Sequence, residues 1–472
     1  MNTGIFRGRP AGEVAVVGLG KSGRAAAELL ARDGHRVYAS DAGRGAEPAL
    51  DALRALGVDA AVGGHDLARV ARAALVVASP GVPPDAPPLA AARAAGVPVV
   101  GEVEVALHYL PGLRYVAVTG TNGKTTTTAL AGHLLRALGH DAVDAGNIGT
   151  PLAELALRDQ PPAWAALELS SFQLHDTPSV RPAVGVVTNL APDHLDRYAS
   201  VDEYYADKAR LFANADAESR WVLNADDAET LVLPKRAGVW PLPGGRFTFS
   251  LEPVGGDAFL GPVPGGGGAH LWALGAPLLA RDELPLLGDH NVANALAASL
   301  AVMVADPEHR TAEARGRIAG ALRGFRALPN RMETVGTFDG VTWINDSKAT
   351  NVSSTLVAVA GMRQPYVLLL GGRHKGEPYT ALAEPFARYG RVVLAYGEAA
   401  PVVARDLGGL APVEVLGADF AEVCARARAI ARPGDAVLLS PACSSFDMFA
   451  NYEARGAAFR ALAAASAAPP PR

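Results

Sequence analysis

The sequence predicts an α/β protein of three domains, each built on a mostly parallel sheet. Three observations carry that reading. Short apolar runs closed by glycine alternate with alanine-rich helical stretches along the chain. At 472 residues and 49% hydrophobic, the chain outgrows a single core. Two strand-to-helix joints, at 18–23 and 120–126, are glycine turns carrying a lysine and hydroxyls, a form that suits phosphate.

The first domain, residues 1–113, opens with a strand at 13–17, the turn Gly18-Leu19-Gly20-Lys21-Ser22-Gly23 and a helix at 24–31. A second strand at 37–40 delivers Asp41. This is the strand, G-x-G-x-x-G, helix, strand and acid order of a Rossmann-like unit, where pyrophosphate sits on the helix N-terminus and the acid meets a polar ring substituent. The same order also arises as a tight turn beside a surface Asp. A strand at 74–78 ends in Ser79-Pro80-Gly81, a loop that either faces phosphate or sugar at the same sheet edge or is plain punctuation.

The second domain, residues 114–328, begins with an apolar strand that runs into Gly120-Thr121-Asn122-Gly123-Lys124-Thr125-Thr126 and a helix at 125–138. Gly120 and Gly123 permit positive φ and close backbone approach, so consecutive N–H groups can face a nucleoside triphosphate. Lys124 is expected to reach the outer phosphates and the Thr125 hydroxyl to ligate Mg²⁺. The spacing is shorter than in the common P-loop, since Val118 stands where the first glycine would be. A turn at 145–149 holds Asn147. Strands at 164–169 and 184–188 carry Glu168 and lead to His194, which converge on the phosphate loop if the sheet is parallel. They are either metal ligands or structural caps, and the imidazole suits Mg²⁺ less than the carboxylate does. Lys208 lies in a helical stretch where most lysines are solvated. The Gly/Pro-rich run at 255–268 reads as a flexible, hairpin-like insertion. A polar turn at 288–295 places Asn291 and Asn294 one turn apart, as a ligand face or as caps.

The third domain, residues 329–472, is again Rossmann-like, with strands at 341–344, 366–370, 392–396 and 436–440. Polar loops at 345–351, 371–376 and 440–447 gather on one sheet edge. There Lys348 and Lys375, with the Thr350 and Ser445 hydroxyls, suit a small carboxylate-bearing substrate. Cys443 has no local histidine partner and reads as a packed strand-end thiol.

Charge and cysteine usage narrow the classes. A net charge of −5 spread along the chain argues against a nucleic-acid surface. Only Cys424 and Cys443 occur, so no disulfide framework exists and a reducing compartment is expected. With no leader and no membrane-length apolar run, the expectation is a cytoplasmic enzyme without a membrane partner, taken as a monomer.

GTNGKTT at 120–126, ELSSFQL at 168–174, APDHLDRY at 191–198, YADKARLF at 205–212, HNVANA at 290–295 and NDSKATN at 345–351 together resemble the Mur ligases of peptidoglycan assembly, in order and over essentially the whole chain. The resemblance implies an ATP-dependent amide ligase, nearest to the members that join D-glutamate to UDP-N-acetylmuramoyl-L-alanine through an acyl phosphate. It implies two Mg²⁺ ions, held with Thr125, Glu168, His194 and a carbamate formed on Lys208. Lys124 is similar to the phosphate-binding lysine of the family. Gly18, Lys21, Ser22, Asp41, Gly81, Asn147 and Gln173 match contacts to the muramoyl nucleotide. Asn294, Arg331, Asp346 and Lys348 match nucleotide and phosphate contacts from two domains, and Thr350, Lys375, Ser445, Phe446 and Tyr452 match the D-glutamate pocket. Asn330 stands where the family usually has His, and His374 where an acid is common. Two rivals are weaker. A folylpolyglutamate synthase-like ligase lacks a nucleotide-sugar domain ahead of its phosphate loop, and a nicotinamide-dependent dehydrogenase leaves that loop unexplained.

Overall fold

A computed structural model describes residues 12–194, 197–253, 256–263, 265 and 268–465. Leu195 and Asp196 of the 191–198 run, and part of the 255–268 insertion, lie outside the described residues. The chain forms two compact units, Met1–Leu284 with Ala293–Arg323, and Pro285–Val292 with Gly324–Arg472.

The first unit carries two sheets. In one, β1 (Glu13–Val17), β2 (Arg36–Asp41), β3 (Asp59–Val62), β4 (Leu75–Ala78) and β5 (Val99–Gly101) pair in parallel, in the order β3-β2-β1-β4-β5. The buried positions of these strands are mostly apolar because both faces are covered. Val14 and Val16 pack with Ala26 and Leu30 of the helix Lys21–Arg32, whereas Ala15 and Val17 join Val70 and Leu89 on the other face. Each buried Val or Leu contributes about 1.5–3 kcal/mol of transfer free energy. Because β1 lies between β2 and β4, the turns holding Gly18, Asp41 and Ser79 share one edge.

The second sheet contains β6 (Arg114–Thr119), β7 (Ala142–Gly146), β8 (Trp164–Glu168), β9 (Val184–Val187), β10 (Arg220–Asn224), β11 (Gly245–Ser250), β12 (Ala258–Pro262), β13 (Ala269–Ala273) and β14 (Ala276–Ala280), ordered β14-β13-β12-β11-β10-β9-β6-β8-β7. Pairing is parallel from β7 through β12 and antiparallel from β12 to β14. Within the 255–268 insertion, the described strand β12 pairs antiparallel with β13 and parallel with β11. Central β6 pairs with β8 on one side and β9 on the other, Val118 opposite Glu168 and Thr119 opposite Val187. That register brings the phosphate loop, Glu168 and the loop ahead of His194 to one crevice, where open α/β sheets bind ligands.

The second unit holds one sheet of β15 (Glu333–Phe338), β16 (Val341–Asn345), β17 (Tyr366–Gly371), β18 (Gly390–Tyr396), β19 (Val413–Val415) and β20 (Ala436–Leu439), in the order β15-β16-β20-β17-β18-β19. Only β15 pairs antiparallel. The polar loops after β16 and β17 therefore flank the loop after β20.

One expected turn is helical instead. Residues 289–295 are taken up by the start of the helix Asp289–Ala305, because Asp289 in the first turn favours the positive end of a helix. Among the described residues, no helix is long and apolar enough to cross a membrane.

Candidate active site

The phosphate loop is formed by steric necessity. Gly120 has φ 139° and Gly123 φ 83°; a Cβ at Gly120 would collide with Thr188 Oγ1, and one at Gly123 with Asn294 Oδ1. Neutral side chains brace the loop. Asn122 N donates to Asn189 Oδ1 (2.9 Å), Asn189 Nδ2 and Thr188 Oγ1 donate to Asn122 O (2.9 and 2.6 Å), and Thr121 Oγ1 donates to Ala191 O (3.0 Å). Thr125 and Thr126 lie buried in the first turn of the helix Lys124–Ala137. Asn294 accepts from Thr127 Oγ1 (3.2 Å), a packing role on this loop, while Asn291 acts as a cap through Nδ2 to Leu287 O (2.8 Å).

Two lysines meet on one carbonyl. Lys124 Nζ donates to Gly120 O (2.9 Å) and Thr121 O (2.7 Å), and Lys208 Nζ donates to Gly120 O (2.7 Å). The expectation of a solvated Lys208 is corrected here. It is 1% exposed, because the helix Val201–Ala209 packs that face inward with Tyr204, whose ring lies 4.6 Å from Nζ. Burial, and then the Lys124 charge, hold its pKa well below the usual lysine value, against Asp193, Glu168 and Asp207. Burial thus favours the neutral amine of Lys208 over the ammonium.

Glu168, 2% exposed, accepts from Asn147 Nδ2 through Oε1 (2.8 Å), while its Oε2 is buried with no protein partner. An orphaned, buried carboxylate oxygen fits a hard divalent cation. Among the described residues, no group of three or more His, Cys, Asp and Glu gathers for a metal. His194 has φ 55° and stands at the rim, its ring 6.0 Å from that of Tyr204 and 5.3 Å from that of Phe172. Its N–H donates to Asp193 Oδ1 (2.8 Å).

Six residues expected to meet the nucleotide-sugar line one cavity of about 650 Å³, namely Gly18, Lys21, Ser22, Asp41, Gly81 and Asn147. Asp41 is committed to the turn, accepting from Leu19 N (2.7 Å) and Gly43 N (2.8 Å). Ser79 is more than punctuation, since its hydroxyl donates to Gly18 O (2.8 Å). Gln173 is set apart from those six; it lines a neighbouring cavity of about 320 Å³ that shares Ser79, Pro80 and Val82. Also at the larger cavity is His65, which bonds to Ser40 Oγ (2.9 Å) and whose pKa burial lowers.

In the second unit, Lys348 Nζ donates to the Tyr452 hydroxyl (2.9 Å). Asp346 is buried, accepts from Ser440 Oγ (2.8 Å) and Met332 N (3.2 Å), and burial pushes its pKa up to about 7. Thr350 precedes the helix Val352–Gly361, Lys375 is exposed, Ser445 is buried, and Phe446 is 63% exposed. Arg331 is half-buried beside Asn330, which takes φ 64°, a conformation Asn tolerates, and accepts from Asn345 Nδ2 (2.9 Å). His374 bonds to the Tyr379 hydroxyl (2.9 Å), which in turn meets Cys443 Sγ (2.9 Å). The thiol is buried, as its strand-end position indicates.

Sequence reasoning missed Thr188, Asn189 and Tyr204, the braces of the phosphate loop. Their signal was present for Thr188 and Asn189, which end an apolar strand as Glu168 does.

Comparisons with known proteins agree with this geometry. Residues 12–101 match the Mur ligase MurD-like N-terminal domain, 118–302 the Mur ligase middle domain, and 330–443 the Mur ligase glutamate ligase domain. The chain is similar to UDP-N-acetylmuramoylalanine–D-glutamate ligase of Anaeromyxobacter dehalogenans, 46% identical over 95% of this chain and 97% of the relative. It is also similar to that of Myxococcus xanthus, 44% identical over the same shares. In fold it resembles the crystal structure of UDP-N-acetylmuramate-alanine ligase from Thermotoga maritima, with TM-score 0.60 at 20% identity, covering 96% of this chain and 100% of that one. Glycine cradle, paired lysines, orphaned glutamate and full-length likeness converge, and the chain belongs to the Mur ligase family.

Proposed function

We propose that this chain is an ATP-dependent ligase that joins D-glutamate to UDP-N-acetylmuramoyl-L-alanine, supplying a peptidoglycan precursor. The observation that carries the mechanism is Lys208, buried with its Nζ on the phosphate loop's own carbonyl and under the charge of Glu168, which has an oxygen with no protein partner. The substrates are supported by likeness, over 97% of their length, to relatives bearing that activity in their names.

The chemistry follows from charge. A carboxylate attacking a triphosphate is one anion approaching another, and the repulsion must be offset by fixed positive groups. Lys124, the N–H groups of the glycine turn and the N-terminal end of the helix Lys124–Ala137 provide them. In its neutral form, which burial favours, the Lys208 amine condenses with carbon dioxide; a C–N bond forms, a proton leaves, and the product is a carbamate anion. Thr125, Glu168, His194 and that carbamate would hold two Mg²⁺ ions, which when bound supply further positive field at the transferring phosphoryl group. The sugar-peptide carboxylate, held by residues of the large cavity and Gln173, takes the γ-phosphoryl group and ADP leaves. The amine of D-glutamate, held by Thr350, Lys375, Ser445, Phe446 and Tyr452, then attacks the acyl phosphate and orthophosphate leaves. Asn294, Arg331, Asp346 and Lys348 serve the nucleotide and its phosphates.

In this reading the functional domains are 1–113, 114–328 and 329–472, and the enzyme works as a monomer in the cytoplasm, where its two buried thiols stay reduced. The test is phosphate release in the presence of ATP. It should require both the muramoyl nucleotide and D-glutamate, and no stimulation by D-glutamate would remove the proposed acceptor. Activity of a Lys208→Ala variant should return with added short carboxylic acids, which place an oxygen anion where the carbamate stood. An untreated variant as active as the wild type would reject the carbamate.

A further inference from the structure

We propose that Arg455 is a positioning residue for the amino-acid half of the site, fastening the loops after β16, β17 and β20 into one platform. This rests on the functional reading above, which assigns D-glutamate to those loops. Arg455 lies on the helix Tyr452–Ala464 and is 1% exposed. Its Nε donates to Ser347 Oγ (2.9 Å), and one terminal nitrogen donates to Ser347 O (2.8 Å) and Cys443 O (3.1 Å). One side chain thereby joins the loop of Asp346, Lys348 and Thr350 to the loop of Ser445. Its other terminal nitrogen faces the third loop, since a Cβ at Gly372, three residues before Lys375, would lie 3.1 Å from it.

That nitrogen is buried with no protein partner, and the same holds for the Tyr396 hydroxyl and Asp447 Oδ1. Arg455 and Asp447 both act electrostatically on the Tyr396 hydroxyl. A Cβ at Gly397, next to Tyr396, would lie 2.5 Å from Asp447 Oδ2 and 3.4 Å from Gly372 N. A guanidinium N–H, a phenol and a carboxylate oxygen have the donors and acceptor that a bridging water needs. A water shared among them would tie Arg455 to the ends of β17 and β18 and to the β20 loop. A well-packed apolar residue would serve stability as well as a buried cation does, so a buried Arg at this position points to geometry. Only the planar fork addresses these partners in different directions at once; a lysine presents a single point charge.

The test compares the full-length wild type with Arg455→Lys and Tyr396→Phe, varying D-glutamate at saturating ATP and muramoyl nucleotide and melting each protein alongside. Absence of D-glutamate-dependent phosphate release in the wild type would overturn the functional reading, and this proposal with it. With wild-type turnover in hand, the KM for D-glutamate should rise about tenfold in Arg455→Lys and about threefold in Tyr396→Phe, with kcat changing less in each. A merely structural role removes folded enzyme, which lowers apparent kcat and leaves KM unchanged. That pattern in Arg455→Lys overturns the proposal. Should Arg455→Lys not fold, Tyr396→Phe, which deletes one oxygen, decides by the same criterion.

Discussion

The first unit contains two glycine turns that both lead from a central parallel strand into a helix, yet they are braced in opposite ways. At Gly18 the brace is a carboxylate, with Asp41 accepting from Leu19 N and Gly43 N. At Gly120 the braces are neutral, Thr188, Asn189 and Thr121, and the charged or chargeable groups on the loop itself are the amines of Lys124 and Lys208. A turn that only holds a ligand tolerates an acid. One that must draw a carboxylate onto a triphosphate tolerates an acid only where a bound cation offsets it, as proposed for Glu168 and the Lys208 carbamate, because an uncompensated unit negative charge about 4 Å away opposes the reaction by several kcal/mol in a partly buried site.

Removing the charge at the second turn should break the contrast most severely. Lys124→Ala is expected to lower kcat by about a thousandfold or more with the fold intact, as seen by circular dichroism and melting. Lys208→Met should abolish turnover to a similar degree without lowering Tm, which separates function from stability at one residue. The sign follows from its lowered pKa. The unfolded state binds more protons than the folded one between the depressed folded value and the ordinary 10.5, so the group works against stability as pH falls through that window. Wild-type stability should therefore gain a rising component with pH up to about 10.5 that the Met variant lacks. An equal pH dependence in both would contradict a lowered pKa at Lys208.

Asn189→Asp sharpens the contrast by giving the second turn the kind of brace the first one has. It replaces a donor to Asn122 O with a negative charge, and the KM for ATP should rise roughly tenfold or more, measured by phosphate release. An unchanged KM would show that the neutrality of the brace is incidental. Lys21→Ala should have the smallest effect, a rise of about three- to tenfold in the KM for the muramoyl nucleotide with kcat held, because Lys21 is exposed on the wall of the large cavity.

Much of this was legible in the chain. Apolar runs gave the central strands, and the strand at 13–17 was placed to the residue because Glu13 and Gly18 bound it. Glycine, lysine and hydroxyls in one stretch gave the phosphate loop. What stayed hidden depends on long-range pairing. Lys208 is an ordinary helical lysine until the helix docks under Gly120, 88 residues earlier in the chain. Arg455 likewise gains its meaning from Ser347, 108 residues before it. Asp41 was correctly placed at a strand end, but its hydrogen bonds to the turn depend on backbone geometry that no spacing encodes.

The central claim is that fixed positive charge lets the sugar-peptide carboxylate take a phosphoryl group before the amine arrives. Oxygen-18 placed in the carboxylate of UDP-N-acetylmuramoyl-L-alanine tests it directly. If the acyl phosphate forms, each turnover passes one labelled oxygen into orthophosphate; phosphate free of label, with amide product still forming, would contradict the account.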